Sequence, residues 1–287
     1  MDLITSFNDA PSIVNLYDYE TNGPDYESFT VEKTNKSLKF ISNGGFQTRN
    51  SSTIWCIEQA DAIYLWPDFK KIKIVTNDGY CKDSEFSYST EKKDDFSNTV
   101  PDFNFCKWPE ASIPDYETVT KEISDAGLNP FQIDKVGWIG SLKTNQVRVY
   151  LHDLGKIFPQ DLDIMTTEQP YISLPDLVKR YSILIDVEGY GYSGRLKYLL
   201  FSRRPLLIVE RPHKEWFFEH LTPWVHYIPV QRDLSDLIVR VKWVKENYSR
   251  ALNIAKSAAE FAKHNCTREA AFKQWDKIIS NLSVSQS

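Results

Sequence analysis

The chain of 287 residues is 41% hydrophobic and 25% charged, with a formal net charge of -5. That balance supplies apolar material for folded cores and excludes a disordered polymer; the acidic sum argues against nucleic acid as the main ligand, since phosphate backbones are held by an excess of Lys and Arg. The length suits two lobes of roughly 100 to 150 residues, and no run approaches the roughly 18 apolar residues that a bilayer span needs.

Residues 1 to about 55 are polar, rich in Tyr, Asn and Ser, and predict short strands and loops with a turn at Gly44-Gly45. An apolar segment from Thr53 leads to Tyr64-Leu65-Trp66. Lys71 to Thr76 then alternates in the manner of a strand and ends on the turn signal Asn77-Asp78-Gly79, a good place for chemistry. Residues 82 to 100 predict a solvated loop and Pro101 to Pro114 an irregular stretch. The second half is more regular. Strands are expected over Val136 to Ile139, Leu162 to Thr166, Ile183 to Val187 and Pro205 to Val209, separated by helices over Thr144 to Leu154, Leu174 to Tyr181 and about Ser193 to Arg203. A further helix is expected around Trp216 to His220. The tail from Leu234 to Leu282 reads as mostly helical, with Ala251, Ala255, Ala258, Ala259 and Ala262 permitting close packing. Such β-α alternation predicts an α/β fold whose parallel sheet holds its ligand at the carboxyl ends of the strands.

The start, Met1-Asp2-Leu3-Ile4-Thr5-Ser6, lacks a basic segment followed by an apolar run, so a cytoplasmic protein without a signal peptide is expected. Cys56, Cys81, Cys106 and Cys266 show no C-x-x-C spacing and no His at zinc-ligand distance, which suits reduced thiols. Aromatic residues reach 14%, and while most such rings fill cores, their flat apolar faces also suit sugars.

Asp186 to Asp233 is the most informative segment. A strand end is followed by Gly189, Gly191 and Gly194, with Arg195 and Lys197 in the first turn of the next helix. Glycines let backbone approach a diphosphate, first-turn amides point at it, and an arginine adds a bidentate donor; a Gly-containing turn with surface cations is the plainer reading. Arg195, Lys197, Arg203, Arg204, Arg211 and Lys214 concentrate positive charge in an otherwise acidic chain. Asp161-Leu162-Asp163 is a formal D-x-D, a spacing that binds a metal and diphosphate in one class of transferases, and more simply decorates a loop. His213, His220 and His226 cluster in sequence, but no carboxylate-histidine spacing supports a metal, and His226 reads as a strand residue.

The run from Tyr192 through Asp233, above all SGRLKYLL and LTPWVHYIPVQRDLSDL, resembles the signature region of glycosyltransferase family 90, the group of protein O-glucosyltransferases and fungal capsule xylosyltransferases. Weaker echoes include Trp138 to Ser141, Asp102 to Pro109 and the strand ending at Asp78. The resemblance implies a GT-B architecture, two Rossmann-like domains facing across a cleft: residues 1–125 on the acceptor side, 126–255 binding the nucleotide-sugar, and a helical segment 256–287 packing back on the first. It implies an inverting, metal-independent transfer of xylose or glucose, with a slight lean to xylose, from a UDP-sugar to a hydroxyl of a glycan or, less so, a protein. No cofactor is implied, since the UDP-sugar is a substrate.

Carried over by position, Asp78 is the catalytic base. Asp186, Ser193, Gly194 and Arg195 hold the donor from one side, and Gly140, Ser141, Lys143 and Arg148 from the other. The family's Arg-Gly-Ser turn has Ile139 in place of its arginine here. Asp102 and Asp115 are fallback bases. A noncatalytic carbohydrate-binding protein of the same fold, favoured by Ile139, and a metal-dependent transferase using Asp161 and Asp163 are the alternatives. A bacterial or viral source is expected.

Overall fold

The computed structural model describes residues 28–45, 47–78, 86–92 and 95–285; Gly79 and Cys81 lie outside them. The chain divides into two compact units, Met1–Tyr116 with Arg268–Ser287, and Glu117–Thr267. Among the described residues no helix is long and apolar enough to cross a membrane.

The second unit is the α/β part. Five strands, β5 (Ile133–Gly140), β6 (Leu162–Thr166), β7 (Tyr181–Asp186), β8 (Leu206–Val209) and β9 (Ile228–Val230), form one sheet in the order β6-β5-β7-β8-β9. Every pairing is parallel. Helices α2 (Tyr116–Gly127), α3 (Gln146–Ile157), α4 (Leu174–Arg180), α5 (Leu196–Leu200), α6 (Leu237–Glu246) and α7 (Tyr248–Asn265) supply the rest. Because both faces of the sheet are covered, its strands are continuous apolar runs; β7 and β8 are buried at every position. Val136, Trp138, Ile183, Ile185, Leu207 and Ile228 form one core with Val241 and Ala251 of the last two helices. The chain adds β6 on one side of β5, then returns to lay β7, β8 and β9 on the other. That reversal leaves a crevice between the carboxyl ends of β5 and β7, where ligands of such sheets settle.

The first unit is built differently. Here β1 (Ser28–Thr34), β2 (Ser37–Ser42), β3 (Phe69–Val75) and β4 (Phe86–Ser87) are ordered β2-β1-β3-β4, antiparallel except for the β3-β4 pair. The Rossmann-like description therefore fits the second unit, while the first carries a mixed sheet. Helices α1 (Gln47–Tyr64) and α8 (Arg268–Ser285) pack on each other, α8 also on β3. Lys33, buried on β1, donates to both oxygens of Asp61, at 2.6 and 2.9 Å, and to the Trp66 carbonyl at 2.8 Å, tying the end of α1 to the sheet. At the start of α8, Arg268 donates to the carbonyls of Phe105 and Cys106 at 2.8 and 3.0 Å and pairs with Asp115.

Several expectations shift. The division falls at Tyr116 and Thr267, not near 125 and 255, because the body of α2 joins the second core, with Ser124 donating to the Phe201 carbonyl, and α7 runs unbroken from Tyr248 to Asn265. The 18-residue helix α1 replaces part of the expected strands and loops. Its early buried positions are polar, Asn50, Ser52 and Thr53, so its hydropathy shows no helical period. The expected solvated loop contains buried Ser87, Tyr88 and Ser89, with the Tyr88 hydroxyl 2.6 Å from that of Thr53. Cys56 and Cys106 are free and buried, and Cys266 is buried.

Candidate functional site

In the second unit, charged residues gather beyond the carboxyl ends of the strands. Gly140 ends β5 and Asp186 ends β7. Glu188, Arg211 and Arg232 each stand two residues past the last residue of β7, β8 or β9. Parallel strands in register thus deliver these side chains to one edge of the sheet.

Asp186, fully buried, is the internal anchor. It accepts a hydrogen bond from the Ser193 hydroxyl at 2.7 Å and pairs with Arg211 at 2.7 Å, while its carbonyl accepts from Arg211 Nη2 at 3.0 Å. Asp186 and Ser193 therefore hold the loop and an arginine in place instead of offering free groups to a donor. Arg148, buried on α3, donates through Nε to the Glu188 carbonyl at 2.7 Å, through Nη1 to Ser141 at 3.2 Å and through Nη2 to Val187 at 3.1 Å. It clasps the ends of β5 and β7, and about two of the five guanidinium N–H groups are left over. Arg195 donates to the Ile139 carbonyl. Both guanidinium groups lie over the buried ring of Trp138, at 5.4 Å for Arg148 and 5.7 Å for Arg195. Gly140 makes this approach possible: a Cβ there would stand 2.6 Å from the Trp138 ring and 3.2 Å from Arg195 Nη2. Ser141 caps the short turn Leu142–Thr144, accepting from the Lys143 amide at 3.3 Å, and Lys143 itself is exposed.

Glu188 is nearly buried and ties the outer rim together. It pairs with Arg232, lies 3.7 Å from His213 Nδ1 and accepts from Asn145 Nδ2 at 3.3 Å. Burial, then the charge of Arg195, pushes the Arg148 pKa down to about 10, and burial also lowers that of Arg195. The balance is positive: Arg148, Arg195, Arg211 and Arg232 stand against the two carboxylates of Asp186 and Glu188. A group carrying two or more negative charges would relieve that imbalance.

The helix after Gly194 is shorter than expected. The helix α5 has five residues, and the Leu196 amide already donates to the Ser193 carbonyl at 3.1 Å. Lys197 is fully buried, pairs with Glu215 at 2.8 Å and donates to the Gly194 carbonyl at 3.1 Å, so it braces the loop. Arg204 precedes β8 at the opposite edge of the sheet and donates to the carbonyls of Val178 and Asn129. Asp161 and Asp163 are at that amino edge too, paired with Lys245 at 2.7 Å and bonded by the Tyr181 hydroxyl at 2.6 Å. The formal D-x-D therefore faces away from the arginine cluster. Among the described residues no group of three His, Cys, Asp or Glu side chains is placed to hold a metal. His226 sits in a turn before β9, its Nδ1 accepting from the Thr222 amide at 3.0 Å.

In the first unit, Asp78 follows β3 and keeps a third of its side chain exposed, 33%, while pairing with Arg49 of α1 at 2.8 Å. The fallback carboxylates are committed elsewhere. Asp102 is buried and accepts from the amide and side chain of Asn104 at 3.2 and 2.8 Å, and Asp115 pairs with Arg268.

Sequence reasoning did not single out Glu188, Arg232, Asn145 or Arg49. The first two carried a usable signal, a charged residue two places beyond a strand end; Asn145 and Arg49 depend on which segments meet.

Known proteins add the family. Uncharacterized protein 035R of Invertebrate iridescent virus 3 is 29% identical over 166 residues, 49% of this chain and 15% of that protein. Protein O-glucosyltransferase 2 of Danio rerio is 32% identical over 116 residues, 40% of this chain and 23% of that protein. Protein O-glucosyltransferase 3 of Homo sapiens is 38% identical over 108 residues, 38% and 21% of the two chains. The chain thus spans less than a quarter of the length of each of these relatives. Among solved structures, Anabaena HepE in complex with UDP-glucose has a TM-score of 0.39 at 14% identity, over 56% of this chain and 44% of that one. The model of Glycosyl transferase family 90 matches residues 66–286, well over half of the sequence, and the chain belongs to that family.

Proposed function

We propose that this protein is a glycosyltransferase that moves glucose or xylose from a UDP-sugar to a hydroxyl group, most simply on a glycan, with inversion and without a metal. The arginine cluster at the β5-β7 crevice carries this reading, within the setting of the family. Its excess positive charge fits a diphosphate, and Arg195, with the remaining donors of Arg148, is placed to receive the charge that grows on departing UDP. Fixed cations can stabilise that charge in the place a metal ion takes in other transferases. The family's GT-B fold class belongs to the same proposal.

The chemistry balances in one step. The acceptor oxygen bonds to the anomeric carbon, its proton passes to the Asp78 carboxylate, and the bond to UDP breaks with its electron pair leaving on the phosphate oxygen. Glucose is the first donor to try, because the matched relatives are named as O-glucosyltransferases. The buried free thiols of Cys56 and Cys106 suit a reducing cytoplasm as the place of work. Calorimetric titration of chelator-treated protein with UDP, UDP-glucose and UDP-xylose tests the reading. Micromolar binding of UDP and one UDP-sugar supports it and names the donor; no binding of any of them overturns it.

A further inference from the structure

We infer that Arg49 is the positioning residue of the candidate base, and that its ion pair with Asp78 sets the direction in which that carboxylate meets the acceptor. The inference rests on the assignment of Asp78 as the base.

The geometry is a fork. Arg49 Nη1 lies 2.8 Å from Asp78 Oδ1, and Nη2 donates to Oδ2 at 3.4 Å, so one planar guanidinium addresses both oxygens of one carboxylate. A two-point contact fixes rotation about the last bond of Asp78 as a single contact does not. Arg49 is itself held. It donates to the Thr76 carbonyl at 3.3 Å, two residues before Asp78, and its guanidinium lies 5.2 Å from the centre of the Phe103 ring. Its side chain is 16% exposed against 33% for Asp78, so the arginine is the packed partner and the carboxylate the accessible one.

Three segments meet at this guanidinium: the first turn of α1, the exit of β3 and the short helical turn Phe103–Phe105. α1 is in turn fastened to the sheet beside β3, since Asn50, next to Arg49, accepts from the Thr76 hydroxyl at 2.8 Å and donates to the Ser42 hydroxyl at 3.1 Å. A carboxylate that follows a strand and begins a turn has no rigid neighbour of its own. Arg49 gives it one, which is what a base needs when an acceptor hydroxyl must arrive in line with the anomeric carbon. Lysine, with one point charge, can supply the attraction but not the fork.

The test is steady-state kinetics on wild-type protein, Arg49→Met, Arg49→Lys, Asp78→Asn and the double variant Arg49→Met/Asp78→Asn, with thermal unfolding and UDP affinity measured on each. Arg49→Met is expected to lower kcat about 10- to 100-fold at unchanged donor KM and UDP affinity, Arg49→Lys to recover part of that loss, and the double variant to be no worse than Asp78→Asn alone. If Arg49→Met unfolds, Arg49→Lys and Arg49→Gln carry the comparison. A kcat within twofold of wild type in Arg49→Met, full recovery by lysine, or losses that multiply in the double variant overturns the inference while leaving the base intact. Wild-type turnover in Asp78→Asn removes both.

Discussion

The two units place their charged groups by opposite means. In the second, parallel strands in register end together, so residues one or two places past those ends converge without further arrangement, and the resulting charges are buried and interlocked: Asp186 is fully buried against Arg211 and Ser193. In the first, the sheet is mainly antiparallel and the carboxylate of interest stands on an exit loop, one third exposed, directed by an arginine from a separate helix. Under the proposed function the second unit holds a charged ligand still and the first offers the accessible group that reacts. Perturbing matched residues in the two units tests that division of labour.

The largest effect is expected at Asp78. Asp78→Asn should lower turnover by about 10²- to 10⁴-fold, the range of a lost general base, while UDP affinity in calorimetry stays unchanged. Parallel loss of UDP affinity would break the comparison. The second concerns the buried pair. Arg211→Met leaves Asp186 buried without its cation and should cost about 3 to 5 kcal/mol in urea unfolding, whereas the more exposed Arg49–Asp78 pair should cost about 1 kcal/mol when Asp78→Asn breaks it. Similar values would mean that burial does not distinguish the units.

A third, smaller effect is expected on binding. Arg195→Ala should weaken UDP about 10- to 100-fold, the loss of a charge-assisted contact, and lower stability by about 1 to 3 kcal/mol because the Ile139 carbonyl loses its donor. Gly140→Ala follows: its methyl group would press on Trp138 and Arg195, lowering stability by about 1 to 3 kcal/mol and loosening UDP binding along with it. The smallest is at the opposite edge of the sheet. Asp161→Asn gives up a partly exposed pair with Lys245 and should shift stability by less than about 1 kcal/mol, with turnover in chelator unchanged. Chelator-sensitive turnover would return Asp161 and Asp163 to the site.

Four of the five strands of the second unit were legible from sequence, Leu162–Thr166 to the residue, whereas α2 and β9 were not foreseen. Buried parallel strands must be apolar along their length and their crossovers amphipathic, so each segment reports its own state. The donor set was legible as a neighbourhood more than as roles. Ser193 and Asp186 are where the sequence placed them, yet they bond to each other and to Arg211, and Lys197 faces Glu215. The first unit was read poorly because its helix α1 buries Asn50, Ser52 and Thr53, with Asn50 and Thr53 bonded to hydroxyl groups, and polar burial leaves no hydropathy period.

By itself, then, the sequence determined the α/β alternation, the strand ends around which the candidate site forms and the resemblance that led to the family, because each is written in local periodicity or in contiguous strings. Tertiary structure alone decided which charges are spent on other charges. Arg211 with Asp186, Lys197 with Glu215, Arg232 with Glu188 and Arg49 with Asp78 are pairs of residues between 18 and 44 positions apart. No local rule joins side chains at such separations; only the packing of strands and helices sets the few ångströms over which a guanidinium finds one carboxylate and not another.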